Sequence, residues 1–567
     1  LCIMTSDLDL ESMSLLGKKW VIQNSDENLN IIAKLLKNRG IDSPEKAEWF
    51  FNGTLKDLHD PKSLKEIDKA VGRIKKAIKN KEKVMVFGDY DVDGITATAI
   101  LYDFLKKAGA DVHYTIPNRD KDGYGLKDYF IRRFKEDDVR LIVTVDCGTS
   151  NFDEVQLTNE LGMEVIVTDH HSIPEKLPPA YAIVNPQRPD CNYPNKESCG
   201  STVAYKLVSL LARELWTAEK AEEYLDCQLG IVALGIVGDC MALTGENRIL
   251  VNEGIKRLTD GKNPGVLALL EEANISCDKI TSTTIGFQIG PRLNAAGRLD
   301  DPQHAFELLI GNLEKAQTLN ELNDKRRQMT HDYVKEAVKE IEKMGSVPNI
   351  IVLSSKKWQA GLLGLIANGI SEKFNRPTII LQEKDDEMIA SMRSVNNFDI
   401  TAALRGAASD LFTAFGGHAM AGGFTMPKAN RDEFLKRIRA VGQDQINPDE
   451  FVNTLHIDCE VKADELSFET CHKLTQLEPF GAENPEPTLL IKNARILNIR
   501  PVGKGEHLHL PIQYGDKTVG AIAFRFGKHL DKIDPEKPHD IVFNLEINEW
   551  NGHQKLQMKV VDLKPSE

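Results

Sequence analysis

Apolar residues along this chain follow two rhythms, and the places where one gives way to the other mark out its elements. Short continuous apolar runs near residues 84, 112, 140, 164 and 181 read as buried strands, and the stretches between them carry helical spacing. Val84-Met85-Val86-Phe87 leads into a helical Ile95 to Ala108, Val139 to Val145 into a helix-like Asp153 to Leu161, and Leu229 to Val237 reads as a buried helix. Such alternation predicts a parallel, doubly wound sheet. From Leu313 to Met344 the pattern is one long polar helix, read as a connector, with a coiled-coil interface as the other reading. A second α/β lobe follows, with strands at Ile350 to Leu353 and Thr378 to Leu381 around a helix from Gly361 to Phe374.

Beyond residue 451 the helical pattern is lost. Thr488 to Ile499, His507 to Tyr514, Thr518 to Phe524, Ile541 to Ile547 and Gln554 to Val561 read as five short strands separated by turns such as Gly515-Asp516 and Asn551-Gly552. Five strands of this kind predict an OB-fold β-barrel. Residues 15–78 are helix-rich and charged, with a helix start at Ser43-Pro44-Glu45-Lys46. The expected fold is therefore α/β: a parallel doubly wound sheet lobe joined by a long helix to a second α/β lobe, with a C-terminal OB-fold β-barrel. The expected divisions are an N-terminal helical extension at 1–78, the sheet lobe at 79–310, the connector at 311–345, the second lobe at 346–450 and the barrel at 451–567.

Chemistry concentrates where strands end. Gly88-Asp89-Tyr90-Asp91-Val92-Asp93-Gly94 sets three carboxylates at alternate positions directly after the first strand. Like charges that close repel, and divalent cations are the usual neutraliser. Asp146-Cys147-Gly148 and Asp169-His170-His171 close two further strands, and Asp239 follows the buried helix. Parallel strands open on one edge, so these side chains can converge. An acidic surface turn and an ordinary helix-end aspartate are the plainer readings of the first and last groups. Carboxylate oxygens suit Mg²⁺ or Mn²⁺, and an imidazole from His170 tilts the choice toward Mn²⁺. Asp89, Asp91, Asp93, Asp146, Asp169, His170 and Asp239 offer enough ligands for two ions about 3.5–4 Å apart, an arrangement used for displacement at phosphorus. In the second lobe, Phe415 to Gly423 is glycine-rich and admits close approach of backbone amides to a phosphate, with His418 as an added donor; a tight turn would give the same residues.

GDYDVDG (88–94), VDCG (145–148), DHH (169–171) and GIVGD (235–239) resemble, in order, the motifs of the Asp-His-His phosphoesterase superfamily. The likeness extends to its bacterial RecJ family of single-strand exonucleases through Ile116-Pro117-Asn118-Arg119 with Gly123-Tyr124-Gly125, Cys199-Gly200-Ser201, Pro291 to Leu299, Trp358-Gln359-Ala360-Gly361, Ser391-Met392-Arg393-Ser394, Gly416-Gly417-His418 and Pro479 to Pro485. Many members have His where this chain has Gln359. The resemblance implies a two-metal hydrolase that degrades single-stranded DNA from the 5′ end to mononucleotides, in recombination and repair, as a monomer working beside a helicase and a single-strand-binding protein. It implies metal ligands at Asp89, Asp91, Asp93, Asp146, His170 and Asp239, with His171, Asp146 and Asp169 in catalysis. It also implies 5′-phosphate contacts at Arg119, Ser391 and Arg393, and Arg298 at the scissile end, with Gly416, Gly417 and His418 among the substrate contacts. Arg525, Phe526, Lys528, His507 and His509 are candidate contacts on the barrel. The alternative is an oligoribonuclease or small-substrate phosphoesterase of the same superfamily. A related pyrophosphatase would carry His in place of Asp89, and a replication scaffold would have lost ligands that are intact here.

Composition narrows the class. At 567 residues and 41% apolar, the chain is long enough for several cores. Nine cysteines lack paired spacing, so neither a disulfide framework nor a zinc ribbon is expected, and Cys191 and Cys199 read as buried or loop thiols. No apolar run reaches the ~20 residues of a membrane span, and no signal-like start is present, so a soluble cytoplasmic protein is expected. The residues before Met13 are expected to lie outside the folded structure. The net charge of −14 is unusual for a nucleic-acid enzyme. Bulk charge is not local field: several acids belong to the metal cluster, while the arginines lie inside the motifs.

Overall fold

The structure, a computed structural model, describes residues 13–119, 121–123, 125–395, 398–447, 451–550 and 552–566. Tyr124 and Asn551 lie outside the described residues, as do residues 1–12. The chain divides into two compact units, Gly53–Ile446 and the pair of segments Leu1–Asn52 and Asn447–Glu567.

The larger unit holds a five-stranded sheet ordered Asp111–Thr115, Lys83–Phe87, Val139–Val145, Glu164–Thr168, Ala182–Val184, all parallel. Its central strands are buried on both faces, which is why they read as continuous apolar runs. In this order the chain reverses direction between Lys83–Phe87 and Val139–Val145. Ligands of open α/β sheets bind at that crevice, beyond the carboxyl ends of the strands. Both strands end there in aspartates. The helices Val92–Lys107, Gly200–Leu215 and Ala218–Gly238 pack together behind the crevice in one apolar cluster.

The connector is the helix Lys315–Lys343, 29 residues long. The second lobe is a five-stranded mixed sheet ordered Ala414–His418, Ala421–Pro427, Glu387–Arg393, Thr378–Glu383, Ile351–Ser355, with the helix Leu363–Phe374 against it. Its glycine-rich segment is not a loop: Gly416 and Gly417 pair with Gly423 and Gly422 in an antiparallel hairpin. Gly417 has φ +143, and a Cβ there would stand 2.4 Å from the Gly422 Cα, so only glycine lets the two edges meet.

In the smaller unit the sheet has seven strands rather than five, because Cys459–Glu460 and Arg500–Val502 join the expected set. Strands of two or three residues carry too few positions to show a period. Leu489–Ile496 pairs with both His539–Trp550 and His507–Tyr514, which closes the barrel. A short helix, Phe468–Thr475, interrupts the region expected to be free of helices; Ser467 caps it by accepting from Thr470 N.

Residues 1–78, expected as one extension, are divided between the units. Lys19–Ile22 forms a parallel pair with Thr454–Ile457. Asp562, fully buried, accepts from Ser14 Oγ, from Trp20 Nε1 at 3.2 Å and from Leu16 N at 3.3 Å. Arg39, after the helix Ile31–Asn38, reaches Asp458 at 3.3 Å and Asn484 at 2.8 Å. The helix Ile67–Asn80 instead buries Ile67, Ala70, Val71, Ile74 and Ala77 in the core of the larger unit.

Candidate metal centre and the cationic cleft beside it

Asp91 ends the turn after Lys83–Phe87 as the N-cap of Val92–Lys107, its Oδ1 accepting from Asp93 N at 3.0 Å and Gly94 N at 3.1 Å. Asp93, within the first turn, points to a second helix and accepts from Gly200 N at 2.5 Å and Ser201 N at 2.9 Å. A helix N-terminus presents orphan amides and a positive dipole end, so a carboxylate is stable there. The approach needs glycine: a Cβ on Gly200 would lie 2.5 Å from the Asp146 Cβ, and one on Gly235 2.7 Å from Asp93 Oδ1.

Asp146 stands at φ +60, a left-handed conformation that costs a non-glycine residue on the order of 1–3 kcal/mol. The kink turns its carboxylate into the crevice. Three groups of donor atoms there lie within 4.8 Å of one another: Asp89, Asp91 and Asp146; Asp93, His170 and Asp239; Asp146, His170 and His171. His170 Nε2 is 3.1 Å from Asp146 Oδ1, 3.5 Å from Asp239 Oδ2 and 3.8 Å from Asp93 Oδ2. These distances look like ion pairs, but burial holds the His170 pKa below its usual value, which favours the neutral imidazole. His170 therefore supplies an imidazole lone pair rather than a positive charge to the carboxylates around it.

Burial, and then the neighbouring aspartates, raise the pKa values of Asp89 and Asp146 well above the ordinary carboxylate value and that of Asp91 above it. Asp239, at the C-terminal end of Ala218–Gly238, is pushed up to about 8 by burial and by Asp93. Asp89 Oδ1, Asp146 Oδ1 and Asp239 Oδ2 are buried without a hydrogen-bond partner. Buried polar atoms are rarely left so. Unsatisfied carboxylate oxygens beside a neutral imidazole nitrogen are the donor set of a hard or borderline divalent cation, and the residues fit one.

Asp169 is different in kind. Its Oδ2 accepts from Thr149 N at 2.9 Å, and its Oδ1 from His170 N at 2.7 Å, His171 N at 3.1 Å and His171 Nδ1 at 2.8 Å. Burial acts to raise its pKa, but the His171 hydrogen bond and charge prevail and hold it well below the carboxylate range. Both oxygens are occupied, so Asp169 positions His171. Burial pulls His171 down, yet the bond to Asp169 carries its pKa up to about 9, which leaves a cationic ring at the half-exposed mouth of the site.

Facing the acids within the same unit is a cluster of arginines. Arg298 donates from Nη1 to the Gly361 carbonyl at 3.1 Å, joining Gly290–Leu299 to the second lobe. Burial, and then Arg119, Arg326 and Arg393, push its pKa down to about 9. Ser391 and Arg393 alternate on one face of Glu387–Arg393, and both would meet a Cβ on Gly364, at 3.2 and 3.0 Å. Arg119 lies over the Tyr90 ring, 5.4 Å from its centroid. Gly416 continues the cross-strand row of Ser391 through Gly423, and His418 that of Arg393 through Ala421. The structure thus groups the acids with His170 and His171, and sets Arg119, Arg298, Ser391 and Arg393 near one another, while Gln359 is an exposed residue before the turn Ala360–Leu362.

Thr149, Gly200, Ser201 and Asn294 also belong to the site, and sequence reasoning gave them no role. They act through backbone amides or, for Asn294, by accepting from Val92 N at 3.1 Å. The one available signal was Gly200-Ser201 opening an apolar helix.

Comparison with known proteins agrees with this geometry. Residues 83–236 match the DHH family, N-terminal domain; residues 347–444 match the DHHA1 domain, and 457–562 the RecJ OB domain. The single-stranded-DNA-specific exonuclease RecJ of Bacillus subtilis (strain 168) is 33% identical, covering 97% of this chain and 71% of that protein. Its counterpart in Haemophilus influenzae is 33% identical, covering 96% of this chain and 98% of that protein. RecJ from Thermus thermophilus in complex with Mn²⁺ superposes with a TM-score of 0.79 at 28% identity, over 94% of this chain and 76% of that one. Its Mg²⁺ complex gives 0.73 at 27%, over 94% and 74%. With motif order, domain order and fold all in agreement, the chain belongs to the RecJ family of exonucleases and is a hydrolase.

Proposed function

We propose that this exonuclease hydrolyses single-stranded DNA in the 5′ to 3′ direction, releases 5′-mononucleotides, and serves recombination and repair. The observation that carries the reading is the pairing, across one cleft, of unsatisfied buried carboxylates with a cluster of partly desolvated arginines. Asp89, Asp91, Asp93, Asp146, His170 and Asp239 would hold two Mn²⁺ or Mg²⁺ ions, with Asp146 and His170 contributing to more than one ligand group. When bound, divalent ions lower the pKa of water and neutralise phosphate charge.

The chain's own groups do the remainder. His171, kept cationic by Asp169, donates Nε2–H toward a phosphate oxygen at the mouth of the site. Arg119, Ser391 and Arg393 receive a terminal 5′-phosphate, for which the planar guanidinium fork is suited. Arg298, held on the Gly361 carbonyl, faces the scissile end. Gly416, Gly417 and His418 form the neighbouring edge hairpin that admits the backbone of the strand. The barrel holds the rest, with Arg525, Phe526, Lys528, His507 and His509 as candidate contacts; Phe526 is buried, so its share is structural. A monomer acting alongside a helicase and a single-strand-binding protein completes the proposal, and the family match supports it.

Incubation with Mn²⁺ or Mg²⁺ and strands labelled at either end, DNA and RNA in parallel, tests it. Mononucleotides released first from the 5′ end of DNA are expected. Release from the 3′ end, or hydrolysis confined to short RNA, would overturn it.

A further inference from the structure

Phe287 is the most exposed large apolar side chain among the described residues, at 79%, where the next reaches 53%. It is not a loose residue. It stands in a π-helical turn, Ile285–Ile289, set between Ser282–Thr284 and Gly290–Leu299. Pro291 accounts for the wide turn: it has no N–H, and in an α-helix its ring would collide with the carbonyl of residue 287. Turns of this kind recur at functional sites. Ile285 and Ile289 are fully buried and clamp the turn from below, so Phe287 is held outward.

The turn belongs to the helix that abuts the acid cluster. A Cβ on Gly286 would touch Val237 at 3.5 Å, two residues before Asp239. Seven residues beyond Phe287, about 10 Å along the axis, Asn294 caps Val92 N.

Cations lie further along the same helix and on the connector helix it packs against. Arg292 donates to the Gln288 carbonyl at 2.8 Å and to Asn320 Oδ1 at 2.9 Å. On the connector helix, Arg326 and Arg327 lie close enough for burial and mutual repulsion to lower the pKa values of Arg292 and Arg326, with Asp324 as the offsetting carboxylate. Arg326 Nε and Thr330 Oγ1 are buried without partners beside a groove of about 650 Å³. Three guanidinium groups packed this way, with donors to spare, call for an anion. An outward aromatic ring on the same helix as Arg292 calls for a flat apolar face.

We propose that Phe287 is a base-stacking platform, and that Arg292, Arg326 and Arg327 bind the adjacent phosphates, so that a single strand leaves the scissile site along Gly290–Leu299. The assignment rests on the single-strand reading above. Its chemistry is that of strand-holding surfaces, where stacking tolerates any base and cations track the backbone.

The test uses the full chain and two measurements. Binding of a fluorescent 5′-phosphorylated oligothymidylate, in chelator, is compared for wild type, Phe287→Ala and Phe287→Trp, with circular dichroism melts as a folding check. Kinetics with Mn²⁺ compare that strand with a 5′-phosphorylated thymidine dinucleotide, too short to reach the platform. Phe287→Ala is expected to weaken binding and raise KM on the long strand about 10- to 100-fold, with kcat and dinucleotide turnover unchanged. Phe287→Trp should restore both. A single abasic site scanned along the strand should erase the Phe287→Ala difference at one position. Equal losses on both substrates would reduce Phe287 to a structural element of the turn. Unchanged binding would overturn the platform and leave Phe287 to a protein surface. A wild-type protein that binds the strand and yet does not cleave it would count against the exonuclease reading alone.

Discussion

Two sets of buried aspartates, one in each unit, are satisfied to opposite degrees. In the smaller unit Asp562 accepts from Ser14, Trp20, Leu16 N and Leu563 N, and Asp458 from Asn38, Arg39 and Thr488 N. In the crevice of the larger unit Asp89, Asp146 and Asp239 each keep a buried oxygen with no partner. The first set spends its lone pairs on holding distant segments of chain together. The second keeps them for something the chain does not contain. A carboxylate's place in stability or in function can be read from what its oxygens touch.

The largest effect should separate the two sets in opposite directions. Asp146→Asn is expected to lower kcat at saturating Mn²⁺ at least 10³-fold, about 4 kcal/mol in barrier terms, because it removes a carboxylate shared by two ligand groups. In chelator the same variant should melt no lower than wild type, since it replaces a buried carboxyl whose oxygen has no partner. A clear drop in melting temperature would place Asp146 with the structural set. Asp562→Asn should do the reverse. It presents an N–H₂ group to donors, and scanning calorimetry should show a loss of about 3 kcal/mol. Turnover of a phosphorylated dinucleotide should be unaffected.

A smaller effect comes from pH and metal together. Carboxylates whose folded pKa lies above the unfolded value bind protons more tightly when folded, so their contribution is present at low pH and lost as pH rises. For Asp239 the window runs from the ordinary 3.8 up to about 8. Melting of the chelated protein should therefore fall across that range. Mn²⁺ should remove the slope and add about 2.7 kcal/mol at one hundred times its Kd. A flat profile in chelator would mean that the acids find partners in solution. The smallest expected effect is on the cationic side of the cleft. Arg393→Ala should reduce the preference for 5′-phosphorylated over 5′-hydroxyl DNA by about tenfold, ~1.4 kcal/mol. Equal losses on both would argue against a terminal-phosphate pocket.

Much of this was legible in the sequence, because the relevant signals are local. A buried parallel strand shows as an unbroken apolar run, and acids at its end stand out against it; hence the five-strand sheet and its acid-bearing turns. The glycines at 416 and 417 were visible, but their hairpin was not, since a loop and a narrow edge ladder both require small residues. Asp169 carried the same side chain as the ligand candidates. Only its four N–H donors reveal that it serves His171. The pairing of Lys19–Ile22 with Thr454–Ile457 was hidden for a different reason: register between distant segments leaves no periodic trace.

That pairing also orders events during synthesis. The strand Lys19–Ile22 and the helix after it emerge early, yet their partners, Thr454–Ile457, Asp458 and Asp562, leave the ribosome more than 400 residues later. At 5–20 residues per second the wait is roughly half a minute to two minutes. During that time Gly53–Ile446 can fold as an insertion within an unfinished neighbour. Removal of residues 452–567 would thus also leave residues 13–52 without the sheet they complete, exposing Trp20, Ile31 and Leu35. A nascent or truncated chain with those groups uncovered is a substrate for chaperones and proteases, and the segments beyond residue 452 are what withdraw them.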